Sequence, residues 1–446
     1  MLLIKNISCM VCDSQEVKYD IDLLVEGNII IEIGKNIVYD VDHVNTVLDG
    51  QGKLVMPGLI NAHTHLWQSF LKGRRDDLPL MPWCEEVISP LLRNLNNYGK
   101  TEFPREVSYL WSMLGAIEMV RSGITTVIDM DLGYQCHMIP KAWVDLGIRG
   151  VIAVEMSDKW EPEQGESLIE KEMENVIDLV EHWHHPWGED NLVQIALGPS
   201  APFICSDRLL RWVKQQADTY GLGIQIHVSE TRAEVEHALS IWGKHPLEYL
   251  ETTGLLSYPL TAVHCVHLTP KEIEISKEYS IVPVYCPKSN MKLGSGIAPI
   301  RNMLETGLEI ALATDGAASN DLLDPFEEMR AGVMLQKASH EDPAVLEARH
   351  LFQMATSGGA TACRLNSGTI EAGKLADLVL LDFNAPHMLS FGSEIIPLLV
   401  YCAKANDVES VIINGKLVMQ DRKLLFIDEA LLYDEIIKAG RFYAKQ

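Results

Sequence analysis

Hydrophobic positions along this chain follow two rhythms. Between about residue 54 and residue 336, apolar runs of four to seven residues alternate with long amphipathic stretches. That alternation is expected of βα units whose strands are buried on both faces of a parallel sheet. Strands are predicted at residues 54–60, 124–129, 148–154, 193–197, 224–228, 261–264, 281–285 and 309–313. Helical spacing fills the intervals at 106–121, 167–183, 207–220, 232–242 and 325–336. Eight such units predict an α/β chain built as a (β/α)8 TIM barrel, whose chemistry gathers where the strands end at the C-terminal face.

The two ends read differently. Short runs at 21–25, 29–33 and 37–39 are punctuated by Glu26-Gly27-Asn28 and Gly34-Lys35-Asn36. Runs at 378–381, 408–413 and 416–419 follow near the other end, the last two joined by the hairpin signal Asn414-Gly415. Neither set has enough apolar surface to stand alone, so both are expected to join in one small β-sandwich. The predicted division is a composite domain of residues 1–56 and 366–446, including a C-terminal helix, and a catalytic barrel of residues 57–365.

Composition narrows the classes. With 47% hydrophobic and 22% charged residues the chain is globular rather than disordered. Its 37 Lys and Arg against 62 Asp and Glu give a net charge of −25, which repels phosphate backbones and anionic membrane surfaces, so neither nucleic acid nor membrane is an expected partner. The N-terminal apolar stretch is broken by Lys5 and Asn6, and no run of about 18 apolar residues occurs, so a cytoplasmic location is expected. Nine cysteines, most inside apolar runs, read as reduced thiols. Cys9 and Cys12 form a C-x-x-C with no second pair or nearby His to complete a metal site.

Candidate chemistry collects at predicted strand ends. His63 and His65 stand two apart, so both imidazoles face one side of the first strand. His227 falls at the end of the fifth strand, His264 at the end of the sixth and Asp315 just past the eighth. If the barrel closes, these meet at one mouth, and imidazoles with a carboxylate suit one divalent ion: Zn²⁺, with Fe²⁺ as the alternative. Glu230, three residues after His227, either caps the helix beginning near Arg232 or stands beside the metal and moves protons.

Five motifs then carry a family resemblance: Met56-Pro57-Gly58-Leu59-Ile60-Asn61-Ala62-His63-Thr64-His65, His227-Val228-Ser229-Glu230-Thr231, His264-Cys265, Ala313-Thr314-Asp315-Gly316, and Gly368-Thr369-Ile370-Glu371-Ala372-Gly373-Lys374-Leu375-Ala376-Asp377-Leu378. In this order they resemble the amidohydrolase superfamily, within it the branch of methylthioadenosine and S-adenosylhomocysteine deaminases, guanine-type deaminases and triazine hydrolases. The resemblance implies metal ligation by His63, His65, His227 and Asp315, proton transfer by Glu230, and polarisation of the attacked group by His264. Asp315 would also act as a base. Two-metal members carry a modified Lys at the end of the fourth strand, and residues 192–200 contain no Lys, so one metal is expected. A homodimer is what the resemblance leads one to expect.

Pocket candidates follow from the same resemblance. Trp83 resembles an aromatic that covers the substrate, although a tryptophan after two prolines also suits packed core. Gln68 offers a donor to a ring nitrogen, and Ser319 and Asn320 resemble polar lining positions. Two departures stand out. Leu92 replaces the acid that grips ribose hydroxyls in S-adenosylhomocysteine deaminases, and Glu155 replaces the arginine that grips the amino-acid carboxylate. An acid there disfavours carboxylate substrates and suits a neutral or cationic heterocycle, unless Glu155 is merely a solvated loop acid. The expected activity is a metal-dependent aminohydrolase acting on an exocyclic amine of a small N-heterocycle such as a purine, pterin, pyrimidine or triazine. The rivals are displacement of chloride or alkylamine or opening of a cyclic amide by the same machinery, and a metal-stabilised binding scaffold, which would have no use for Glu230.

Overall fold

The computed structural model describes residues 1–39, 42–95, 107–132, 136–159, 166–392 and 394–444. Eight parallel strands form the barrel: β1 (Leu59–Thr64), β2 (Ile124–Leu132), β3 (Arg149–Met156), β4 (Val193–Pro199), β5 (Ile224–Val228), β6 (Leu260–His264), β7 (Val282–Tyr285) and β8 (Ala311–Leu312), paired in sequence order. Their residues are almost wholly buried, as apolar runs without alternation require. Helices Asp207–Tyr220 and Arg232–Trp242 fall where the spacing predicts, while Pro325–His340 outruns its prediction by a turn. The predicted helix at 106–121 is Val107–Arg121, residue 106 lying outside the described residues.

β8 is only two residues long and makes no ladder with β1. A side-chain amide closes the seam instead. Thr314 N–H donates to Asn61 Oδ1 at 2.9 Å, Asn61 Nδ2 donates to Thr314 Oγ1 at 2.8 Å, and Asp315 N–H donates to His63 O at 3.1 Å. The barrel is therefore distorted at the seam that carries His63 and Asp315.

Both chain ends enter one nine-stranded sheet, in which Lys53–Pro57 lies between Leu2–Val11 and Leu378–Asp382. Residues Ile4, Ile7, Met10, Leu23, Ile30 and Ile412 pack in a cluster separate from the barrel core. The run predicted as one strand at 54–60 is two. Lys53–Pro57 belongs to the terminal sheet, β1 to the barrel, and the chain crosses at Gly58, where an added Cβ would collide with Thr125. Residues 37–39 are not a strand, because Ile37 N–H turns aside to donate to Asp22 Oδ2 at 3.1 Å.

A buried polar knot fastens this sheet to the barrel floor. The Arg149 guanidinium, at the start of β3, pairs with Asp377 and donates to Asn414 Oδ1 at 2.6 Å, while Asn414 N–H donates to Asp377 Oδ1 at 2.8 Å. Among the described residues all nine cysteines are free thiols, and burial raises Cys9 to about 12 and Cys12 to about 11. No helix among the described residues is long and apolar enough to cross a membrane.

Candidate active site

The C-terminal ends of β1, β5, β6 and β8 bring His63, His65, His227, His264 and Asp315 together, all buried but the half-buried His227. His63 Nε2 lies 3.3 Å from His227 Nε2 and 3.3 Å from Asp315 Oδ1, and His65 Nε2 is 3.6 Å from the same oxygen. The chain turns sharply to present them. Ser229, His264 and Asp315 adopt left-handed backbone with φ of +52°, +70° and +62°, strain that rigid surroundings hold at this one mouth.

The donor set fits a divalent cation. The Nδ1 atom of each of three imidazoles meets an oxygen: His63 with Gln225 Oε1 at 2.9 Å, His65 with Met130 O at 2.7 Å and His227 with Ser200 O at 2.6 Å. The two backbone carbonyls can only accept, and Gln225 Nε2 already donates to Ala62 O and Thr261 Oγ1, so each Nδ1 carries the proton. The donors form two overlapping trios that share His63, one with His65 and Asp315 and the other with His227 and His264, and their facing lone pairs repel one another without a cation. Burial, followed by the charge of His63, lowers His65 to about 3 and His227 well below its ordinary value. Burial alone would raise Asp315, but the imidazoles of His63, His264 and His65 hold it well below the usual carboxylate range. Neutral imidazoles and an ionised carboxylate are what metal ligation requires.

Asp315 divides its two oxygens. Oδ1 faces the imidazoles, while Oδ2 accepts from Ser289 Oγ at 2.5 Å and Ser319 Oγ at 2.9 Å. Asn320 turns inward, its Nδ2 donating to Thr314 O and Glu328 Oε1 at 2.5 Å each. Ser319 and Asn320 thus grip the Asp315 turn. Gln68 Oε1 accepts from Ala318 N–H at 3.4 Å, and Gly316 leaves no room there for a Cβ.

Glu230 does not cap the helix at Arg232. Thr231 does, its Oγ1 accepting from Glu234 N–H, while the Glu234 carboxylate accepts from the N–H groups of Ser229 and Glu230 at 2.9 and 2.7 Å. The Glu230 side chain is left facing the mouth, with Oε1 accepting from Ser295 Oγ at 3.1 Å and Oε2 3.5 Å from His264 Nε2. Burial and the Asp315 charge raise it to about 8, against the hydrogen bond from Ser295. His264 is oriented by Asn290 Oδ1, 3.0 Å from its Nδ1, and burial lowers it.

Glu155 ends β3 beside this cluster rather than in solvent. Its Oε1 accepts from Ser200 Oγ at 2.8 Å, and its Oε2 has no donor among the described residues and lies 3.9 Å from His65 Nδ1. Burial raises it to about 7, against the Ser200 bond. Trp83 is buried with its Nε1 unpartnered among the described residues. Burial, followed by the charges of Glu230, Glu155 and Asp315, raises the adjacent Cys84 thiol. Leu92 packs against the core.

Sequence reasoning missed Gln225, Glu234, Ser289, Asn290 and Ser295. Ser289 and Asn290 had a signal, since Pro287–Lys292 directly follows β7, where barrel chemistry gathers. Gln225 had a weaker one, a polar residue inside an apolar strand.

Comparison with known proteins agrees with this geometry. Residues 54–418 match the model of the amidohydrolase family. The 5-methylthioadenosine/S-adenosylhomocysteine deaminase of Caldanaerobacter subterraneus subsp. tengcongensis is 39% identical over 442 residues, covering 99% of this chain and 98% of its own. The enzyme of that name from Pyrococcus furiosus is 38% identical over 94% of this chain and 95% of its own. A zinc-bound adenosine deaminase from Xanthomonas campestris superposes with a TM-score of 0.88 at 29% identity, covering 100% of this chain and 98% of that one. The seam-closed barrel and its mouth of histidines are those of a protein that belongs to the amidohydrolase family.

Proposed function

We propose that this chain is a hydrolytic deaminase that converts the exocyclic C–NH₂ of a small N-heterocycle to C=O and releases ammonia. The observation that carries the reading is the convergence of three Nδ1-anchored imidazoles and the Asp315 carboxylate beside an unliganded acid, Glu230. His63, His65, His227 and Asp315 would hold one divalent ion, Zn²⁺ by preference for a mixed imidazole and carboxylate set. When bound, that ion lowers the pKa of water and polarises the attacked carbon's substituents.

The chain's own groups divide the remaining work. The Asp315 carboxylate, its Oδ2 steadied by Ser289 and Ser319, takes one proton from the attacking water as the water oxygen bonds to the ring carbon. Glu230 carries the second proton to a ring nitrogen, which makes the ring carbon tetrahedral. The proton on Asp315 then passes to the amine, the C–N bond breaks, and C=O forms. His264, fixed by Asn290, faces the developing oxygen. Trp83 covers the ring, and Gln68 donates to it.

The substrate is rich in donors. The open Oε2 of Glu155 would repel a carboxylate and welcomes a ring N–H or amino group, and Leu92 offers no charged partner for a ribose diol. This favours an aminopurine, pterin, pyrimidine or triazine over S-adenosylhomocysteine. In the division of labour that follows, residues 57–365 perform the chemistry, while residues 1–56 and 366–446 brace the barrel.

The test is ammonia release from a panel of aminopurines, pterins, aminopyrimidines and aminotriazines by metal-loaded protein, with S-adenosylhomocysteine alongside. Turnover of at least one panel member, lost on Glu230→Gln with metal content unchanged, supports the reading. Release of chloride or alkylamine from a chlorinated or alkylamino triazine added to the panel, with no ammonia from any other member, sinks it.

A further inference from the structure

Outside the barrel mouth, a cavity of ≈ 560 Å³ opens between helices Val107–Arg121 and Pro325–His340, the turn at 404–407 and the C-terminal helix Glu429–Ala444. Its volume is that of a small-ligand pocket. Its lining carries four cations against three acids, Glu118, Asp324 and Glu327. Arg121, Arg330, Lys404 and Arg422 all line it.

These cations are offset only in part, by Glu429 beside Arg121 and Asp407 beside Arg422. Arg121 pairs with Glu429 at 2.6 Å, yet its buried Nε has no acceptor among the described residues. Among the described residues Arg330 donates to backbone carbonyls alone, Tyr401 O at 3.0 Å and Ala403 O at 2.6 Å. Arg422 donates to Ala405 O and Val408 O at 3.0 and 2.6 Å, and more distantly to the neutral Asn406. Lys404 lines the cavity, its backbone N–H donating to Asp407 Oδ2 at 2.8 Å. The acids in the wall are committed elsewhere. Glu118 pairs with Lys72, Glu327 with Lys288 at 2.7 Å, and Asp324 caps its helix by accepting from Phe326 and Glu327 N–H. Burial and the neighbouring Arg121 disfavour the Arg422 cation, against the favourable charge of Asp407.

Backbone carbonyls fix the Arg330 and Arg422 forks without neutralising them, which preorganises planar donors for an incoming anion. Leu114, Ile117 and Leu322 supply an apolar wall beside them. We propose that this cavity is a second binding site, for a phosphate monoester with an apolar or aromatic body. A dianion matches clustered guanidinium and ammonium groups better than a carboxylate does.

Calorimetric titration of the full-length, metal-loaded protein tests this with phenyl phosphate, benzoate, inorganic phosphate and phenol as probes. Phenyl phosphate is expected to bind saturably with one equivalent per chain, tighter than benzoate or inorganic phosphate, and phenol not at all. Arg330→Gln and Lys404→Gln should each weaken it about tenfold, one charge-assisted contact's worth. Lys404→Gln makes no structural bond and should leave the melting temperature and deaminase kcat/KM unchanged, which covers the case in which Arg330→Gln fails to fold. Absence of saturation at millimolar phenyl phosphate overturns the proposal. So does binding that neither substitution weakens, which would place the anion at the barrel mouth, or preference for benzoate.

Discussion

Replacing Gln225 with Leu is expected to loosen the metal without touching a ligand. Gln225 is 1% exposed, and its amide is used at both ends: Oε1 holds His63 Nδ1–H at 2.9 Å, while Nε2 donates to Ala62 O at 2.9 Å and Thr261 Oγ1 at 3.1 Å. Leucine is close in volume, so the loss is one of hydrogen bonds rather than of packing. Orphaning the buried His63 Nδ1–H frees the imidazole to rotate or to move its proton to Nε2, where it blocks the lone pair. Loss of such an outer partner costs about 10 to 100-fold in metal affinity, or about 1.4 to 2.8 kcal/mol. The apo protein should also lose about 1 to 3 kcal/mol, because Ala62 O and His63 Nδ1–H are left buried without partners. Chelator competition gives the metal dissociation constant, and urea unfolding of apo and loaded forms separates the two losses. A variant whose apo form is destabilised but whose metal affinity stays near that of the parent chain would refute the assignment of His63 as a ligand tethered by Gln225.

Glu230→Gln is predicted to lower kcat by about 10² to 10⁴-fold with one metal per chain retained, read by steady-state ammonia release and metal analysis. Asp315→Asn should lose both metal and turnover, because it removes the anionic ligand and the base in one change; retained metal at full stoichiometry would contradict it. Removing metal with a chelator should abolish activity and lower the melting temperature, and adding Zn²⁺ should restore both in a concentration-dependent way. Glu155→Gln should raise KM for amino-substituted rings while leaving metal content unchanged, and Glu155→Arg should raise it further; a fall in kcat alone would place Glu155 in the chemistry instead.

The proposed ligands were legible as a cluster because each stands at the end of an apolar run, where strand periodicity and the barrel's one-ended chemistry both point. Glu230 was legible as an acid near His227 but not as a free one: that depended on Thr231 taking the helix cap and Glu234 fastening the backbone. Residues 54–60 read as one strand because both sheets bury their residues, so nothing in hydrophobicity marks the crossing at Gly58. Strand Leu2–Val11 went unread for a related reason, as its burial is nearly continuous and interrupted only near Asn6. Gln225, Ser289, Asn290 and Ser295 meet their partners across 26 to 162 positions of sequence, distances that no local pattern encodes.

The Arg149, Asp377 and Asn414 knot bears on how the chain matures. During synthesis, the whole barrel emerges before either partner of Arg149 has been made. A nascent barrel must therefore either keep an uncompensated guanidinium in its floor, which costs several kcal/mol, or leave β3 unsettled. The floor is completed last, by the tail of the chain, and a chain released at residue 365 is expected to be cut rapidly by protease near β3 while the full-length protein resists.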